Sequence, residues 1–239
     1  MSLFLCLGAL MKSFAVKNEK MMSDDELLTS LNKTAILFNE MVNYKYLFIS
    51  SKKLNGSYSY TGYEIQYEKS QFAHLCGFKG NESINSVRFF EKCLSKELSP
   101  IEFDFKESKK LASAKLSVCM DLLHYEHVKI YKIGRKTVGT EKNKFKVGIG
   151  NDNALMGFDE RGKYNAMIPV TVLKRPLREF ISEPETVIAI IRKKSNEKVR
   201  YNDIVSTAKR GIEINILPEE IINKIDENII STGLIIKSA

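Results

Sequence analysis

Leu27, Leu31, Ala35, Phe38 and Val42 recur at helical spacing, and at Tyr44 that period gives way to the short apolar runs of a strand. The helix has a marked start, because Ser23-Asp24-Asp25-Glu26 has the form of a capping box with carboxylates at the positive end of the helix dipole. Asn55-Gly56 is a strong hairpin signal between Tyr44–Ile49 and the tyrosines at 58, 60 and 63, so a β-hairpin is expected over about residues 44–67. Three further helices are expected: Ser70 to Leu75 stopped by Gly77, one beginning near Ser83 and ending before Pro100, and one from Ser108 to His124. The period then turns short at Val128–Ile133, Phe145–Ile149, Ala154–Phe158 and Thr186–Ile191, with glycines at 134, 139, 150 and 162 in turn positions. Short strands with brief connections favour antiparallel pairing. The expectation is therefore an α+β fold, N-terminal helices followed by an antiparallel β-sheet. Asn202–Arg210 and Pro218–Ile230 read as extra helices at the C-terminus, which divides the chain into an N-terminal helical extension (1–43), an α+β domain (44–193) and a C-terminal helical extension (194–239).

No apolar run approaches the ~20 residues of a membrane-spanning helix, so no membrane partner is expected. Leu3–Leu10 lacks the positive leader and small-residue cleavage site of a signal peptide. Cys6, Cys76, Cys93 and Cys119 are far apart and form no C-x-x-C pair, which points to reduced thiols in a cytoplasm rather than a disulfide framework or zinc ribbon. The net charge of +8 is uneven: residues 129–210 hold 19 Lys/Arg against 9 Asp/Glu, and the rest holds 18 against 20. Such a concentrated positive field attracts polyanions by releasing their counterions. A solvated lysine-rich surface is the plainer alternative.

Several chemistries are excluded at once. Gly148-Ile149-Gly150 lacks the third glycine of a dinucleotide fingerprint, and no G-K-[ST] triplet occurs. His124 and His127 have no third ligand at motif spacing, so neither metal nor cofactor is expected. His74, in Phe72-Ala73-His74-Leu75-Cys76-Gly77, is either a core histidine bonded to backbone or a proton-transfer group suited to neutral pH. Metal-free RNA cleavage needs a base for the 2′-hydroxyl, an acid for the departing 5′-oxygen, and cations aimed at the phosphorus. Lys115 interrupts a small, apolar helix face, where it either snorkels outward or serves a site. Lys132 and Arg135 flank a strand end, and Lys163, Lys174, Arg175 and Arg178 follow with no acidic residue between them. Tyr131, Phe145 and Tyr164 lie among these cations as candidate stacking surfaces for unpaired bases. Lys132, Arg135, Lys174, Arg175, Arg178 and Tyr164 are the candidate RNA-binding residues.

Phe72-x-His74-Leu75-x-Gly77, Phe89-Phe90-Glu91-Lys92-Cys93-Leu94, Leu98-Ser99-x-x-x-Phe103-x-Phe105, Lys115-Leu116, Gly157-Phe158 and Ile168-Pro169-x-Thr171-x-Leu173 occur in order. Together they resemble the phage-encoded barnase-EndoU-colicin-RelE-like nucleases, in the group with an F-x-H-L-x-G motif, over about residues 44–193. The resemblance implies a metal-independent ribonuclease whose sheet face carries the active site. The motif's polar positions fall on His74 as general base or acid, Lys115 as stabiliser of the phosphorane, and Thr171 as donor to a phosphate oxygen. Cys76 stands where threonine is usual in F-x-H-L-T-G, which weakens any role for that side chain. The expected function is an endoribonuclease, a toxin or phage-conflict factor acting on RNA such as tRNA and met by an inhibitor or host protein. The alternative is a non-catalytic nucleic-acid- or protein-binding module of the same fold.

Overall fold

Helix α1 (Asp24–Val42) begins where its capping chemistry dictates. Ser23 Oγ accepts from the Glu26 amide at 3.2 Å, and the Glu26 carboxylate accepts from the Ser23 amide at 2.7 Å. The computed structural model describes residues 21–125, 131–137, 144–160, 166–207, 212 and 216–231. After α1 come the hairpin β1 (Tyr44–Leu54) and β2 (Ser57–Gln66), then α2 (Phe72–Cys76), β3 (Phe78–Gly80), α3 (Ser86–Ser95), β4 (Phe103–Phe105) and α4 (Lys109–Leu123). The second half holds β5 (Lys132–Arg135), β6 (Val147–Gly150), β7 (Leu155–Glu160), β8 (Met167–Leu173), β9 (Glu185–Lys194), β10 (Asp203–Thr207), α5 (Glu219–Ile222) and α6 (Glu227–Ser231). Asn55 and Gly56 both have positive φ, 49° and 89°, as a two-residue hairpin turn of the right twist requires.

The fold is α+β with a large, mostly antiparallel sheet. β1 bonds β2 on one edge and β9 on the other, so the order β1-β2-β8-β7-β6-β5-β9 returns to β1 and the sheet curls into a ring. Two joints are short: β2 meets β8 through the single parallel pair Ile65–Met167, and β5 meets β9 through Lys132–Thr186 and Ile133–Glu185. The inner face of the ring carries Phe48, Tyr63, Ile133, Met156, Val172 and Val187, which pack with Leu27, Leu31 and Phe38 of α1 and with buried residues of α2, α3 and α4 as one core. Each of these fully buried side chains contributes about 1.5–3 kcal/mol relative to exposure. Two smaller clusters cover the outer face, one of Leu47, Ile49 and Ile191 under Leu217, Ile221 and Ile225, the other of Phe145 and Leu155 with Leu177, Phe180 and Ile181.

The tail departs from its expected helices. Asn202–Arg210 reads as helix, yet Asp203–Thr207 is strand β10, paired antiparallel with β9 from Asp203–Arg192 to Thr207–Ala189. Among the described residues the β5 side bonds β9 no further along than Val187, and the β-branched Ile204, Val205 and Thr207 of β10 take the edge from Ala189 to Arg192. Pro218–Ile230 is not one helix. It breaks into α5 and α6, because Tyr201 donates to the Lys224 carbonyl at 2.8 Å and accepts from the Asp226 amide at 2.9 Å, pinning Ile225 between them. The strand expected at Val128–Ile133 is described only from residue 131, where β5 starts at Lys132. β8 went unmarked by periodicity because Pro169 and Thr171 interrupt its apolar run. Pro169 stands at a register shift against β7, where a missing amide is tolerated.

Candidate active site

Gly77 organises the neighbourhood of His74. Its φ of +88° ends α2 in the left-handed conformation that glycine adopts without strain, and its amide bonds the His74 carbonyl at 3.1 Å. The Gly77 carbonyl in turn accepts from the Lys106 amide at 2.9 Å, extending the β3–β4 ribbon in which Phe78 opposes Phe105. That pairing delivers Lys106 to the imidazole: its Nζ lies 2.6 Å from Nδ1 and 3.3 Å from Nε2 of His74. Phe72, Leu75 and Cys76 of α2 are buried in the core while His74 faces solvent, so the helix is anchored by its neighbours and presents the imidazole outward.

Lys115 belongs to the same neighbourhood. A side chain added at Gly77 would stand 3.3 Å from the Lys115 Cδ and 3.1 Å from the Ala112 Cα, so α2 and α4 are in contact there. Lys115 is only 6% exposed. Burial holds its ammonium below the usual lysine range; Glu107 opposes that shift, Lys106 adds to it, and the Cys76 and Cys119 thiols oppose it. Among the described residues no carboxylate lies within ion-pair distance of it. An ammonium kept there without a paired anion is poised to meet negative charge or to release a proton. His74, Lys106 and Lys115 are therefore brought together from three elements.

The other expected residues are dispersed. Thr171 opposes Gly157, and a side chain at Gly157 would strike the Phe145 ring of the outer cluster, so Thr171 lies on the outer face, across the sheet from α2 and α4. Lys132 and Arg135 are three apart in β5 and so face opposite ways: Arg135 shares the inner face with Ile133 and Val147, Lys132 the outer face. Lys174 reaches Ser117 Oγ of α4 at 3.3 Å. Arg175 pairs with Glu179 and lies 5.0 Å over the Phe180 ring, and Arg178 is exposed beside it. Tyr164 and His127 lie outside the described residues. The cations thus spread over several surfaces. Lys106 was not singled out in the sequence, since only the pairing of β3 with β4 brings it to His74.

A model of the phage-Barnase-EndoU-ColicinE5/D-RelE like nuclease4 family matches residues 30–209. The chain belongs to this family. Membership in the phage-Barnase-EndoU-ColicinE5/D-RelE like nucleases makes a nucleic acid the implied substrate class. The match begins inside α1, ends just past β10 and contains His74, Lys106, Lys115 and Thr171, leaving α5 and α6 beyond it. No curated protein and no solved structure matches the chain. Among the described residues no helix of this nuclease-family chain is long and apolar enough to cross a membrane.

Proposed function

We propose that the protein is an endoribonuclease that cuts RNA without a metal, using His74, Lys106 and Lys115. The observation that carries this reading is the 2.6 Å approach of the Lys106 ammonium to His74 Nδ1 on an exposed helix turn beside buried Lys115. An ammonium donates and never accepts, so the nitrogen it faces carries no proton, and that nitrogen becomes the base once the ammonium swings across to the incoming phosphate. His74 takes the proton of the ribose 2′-hydroxyl, whose oxygen attacks phosphorus. The 5′-oxygen departs with a proton from a lysine, leaving a 2′,3′-cyclic phosphate and a free 5′-hydroxyl. Lys115 supplies that proton, because burial has already weakened its hold on it. The charge building on the phosphorane is met by both cations. Thr171, on the outer face, has no part in this reading.

Incubation with a tRNA pool in EDTA tests it. Cleavage to cyclic-phosphate ends is expected, and His74→Ala is expected to abolish it. Cleavage that requires added Mg²⁺, or that survives the substitution, refutes the mechanism. Salt-sensitive binding without turnover would identify a binding module of the same fold, with the phage-conflict role resting on sequestration rather than cutting.

A further inference from the structure

At the hairpin end of the strand ring, four strands exchange an apolar inner residue for a polar one two positions along. β1 passes from Phe48 to Ser50, β2 from Tyr63 to Thr61, β5 from Ile133 to Arg135, and β9 from Val187 to Glu185. A step of two keeps a side chain on the same face. The core therefore ends in a polar mouth at the hairpin end of β2, whereas His74 follows the opposite end of that strand.

Glu185 is the centre of this mouth. Ser50 is wholly buried and its hydroxyl donates to Glu185 Oε2; the Tyr63 hydroxyl donates to Oε1 at 3.1 Å. Burial raises the Tyr63 phenol well above its ordinary range, Glu185 raises it further, and Arg135 opposes them, which places the guanidinium within electrostatic reach of the pair. A carboxylate has about four lone-pair positions, and two hydroxyls occupy two. Arg135 is exposed, and no carboxylate among the described residues lies within ion-pair distance of it. Just outside, Lys52 is paired with Glu183. The mouth thus offers a carboxylate locked in position with acceptor capacity left, and a guanidinium with its planar fork available.

We infer that this mouth is a second ligand site, one that binds a ribonucleotide unit of RNA, with Arg135 taking the phosphate and Glu185 accepting a hydrogen bond from a ribose hydroxyl. It rests on the reading that the substrate is RNA but not on the chemistry assigned to His74. Guanidinium matches a phosphate edge two bonds at a time, and a half-buried acceptor held in place by two hydroxyls discriminates against a ligand that lacks a hydroxyl to donate. A polar plug serving only to close the ring would instead be indifferent to nucleotides.

The test is equilibrium titration of the full chain with adenosine 3′-monophosphate and with its 2′-deoxy counterpart, followed by amide chemical shifts. The ribonucleotide is expected to bind about tenfold more tightly, with shifts concentrated at Ser50, Tyr63, Arg135 and Glu185. Arg135→Ala, at an exposed position, is expected to weaken both nucleotides about tenfold or more. Glu185→Gln is expected to remove the preference for ribose. Absence of binding, equal binding of the two nucleotides, or shifts confined to Gly77, Lys106 and Lys115 would overturn the inference. Loss of RNA cleavage with these binding results intact would overturn only the catalytic reading.

Discussion

Gly77 and Lys115 face each other across the contact between α2 and α4, so closely that a Cβ added to the glycine would stand 3.3 Å from the Cδ of the lysine. The same glycine has φ +88°, a conformation that costs any L-residue with a side chain about 1 kcal/mol. Gly77→Ala should therefore destabilise by about 1–3 kcal/mol, strain and the 3.1 Å approach to the Ala112 Cα acting together. Urea unfolding measures this, and a loss below half a kcal/mol would mean the two helices separate easily.

Lys115 should oppose folding where it supports activity. Burial lowers its folded pKa below the unfolded value, so the cost of enclosing the charge is fully present below the folded pKa and is relieved as pH rises through it toward the unfolded value. Lys115→Met is expected to raise stability by about 1 kcal/mol at neutral pH, to narrow that gain as pH approaches 10, and to remove RNA cleavage. Paired urea titrations at several pH values check the sign. A variant less stable than the parent at pH 7 contradicts it.

Lys106 is exposed and donates to an exposed imidazole, so its removal should leave the fold nearly intact. Lys106→Ala is expected to change stability by less than about 0.5 kcal/mol while slowing single-turnover RNA cleavage about 10- to 100-fold. Lys106→Arg should restore part of the rate. An unchanged rate in the alanine variant would leave the 2.6 Å contact without catalytic meaning.

Alkaline pH should unfold the protein cooperatively. Tyr46, Tyr63, Tyr67, Tyr125, Tyr131 and Tyr201 are all raised by burial, Tyr46 to about 12. Unfolded phenols ionise near pH 10, so stability falls as pH rises above that value; for Tyr46 the loss ends once the folded phenol also ionises, at about 12. Thermal melting followed from about pH 9 to 11 should show this fall, less steep in Tyr46→Phe. A flat profile would mean the phenols are more hydrated than their packing implies.

Where neighbouring residues along the chain settle conformation, sequence alone was enough. The Ser23–Glu26 box, the Asn55-Gly56 turn, Gly77 at the end of α2 and the Ser108 cap of α4 all act within a few residues, and each element stands where its cap or turn puts it. His74 and Lys115 were legible as candidates because each breaks an apolar face. What tertiary structure alone decided depends on contacts with remote partners. Asp203–Thr207 became a strand because β9 had an unfilled edge, Lys106 met His74 because β4 paired with β3, and Lys132 parted from Arg135 because a strand turns alternate side chains to opposite faces. Propensity over a short window is worth tenths of a kcal/mol per residue, and a hydrogen-bonded edge or a buried face outweighs it. For that reason the elements with a local cap or turn could be read from the residues, while the edge strand β10 and the convergence on a site could not.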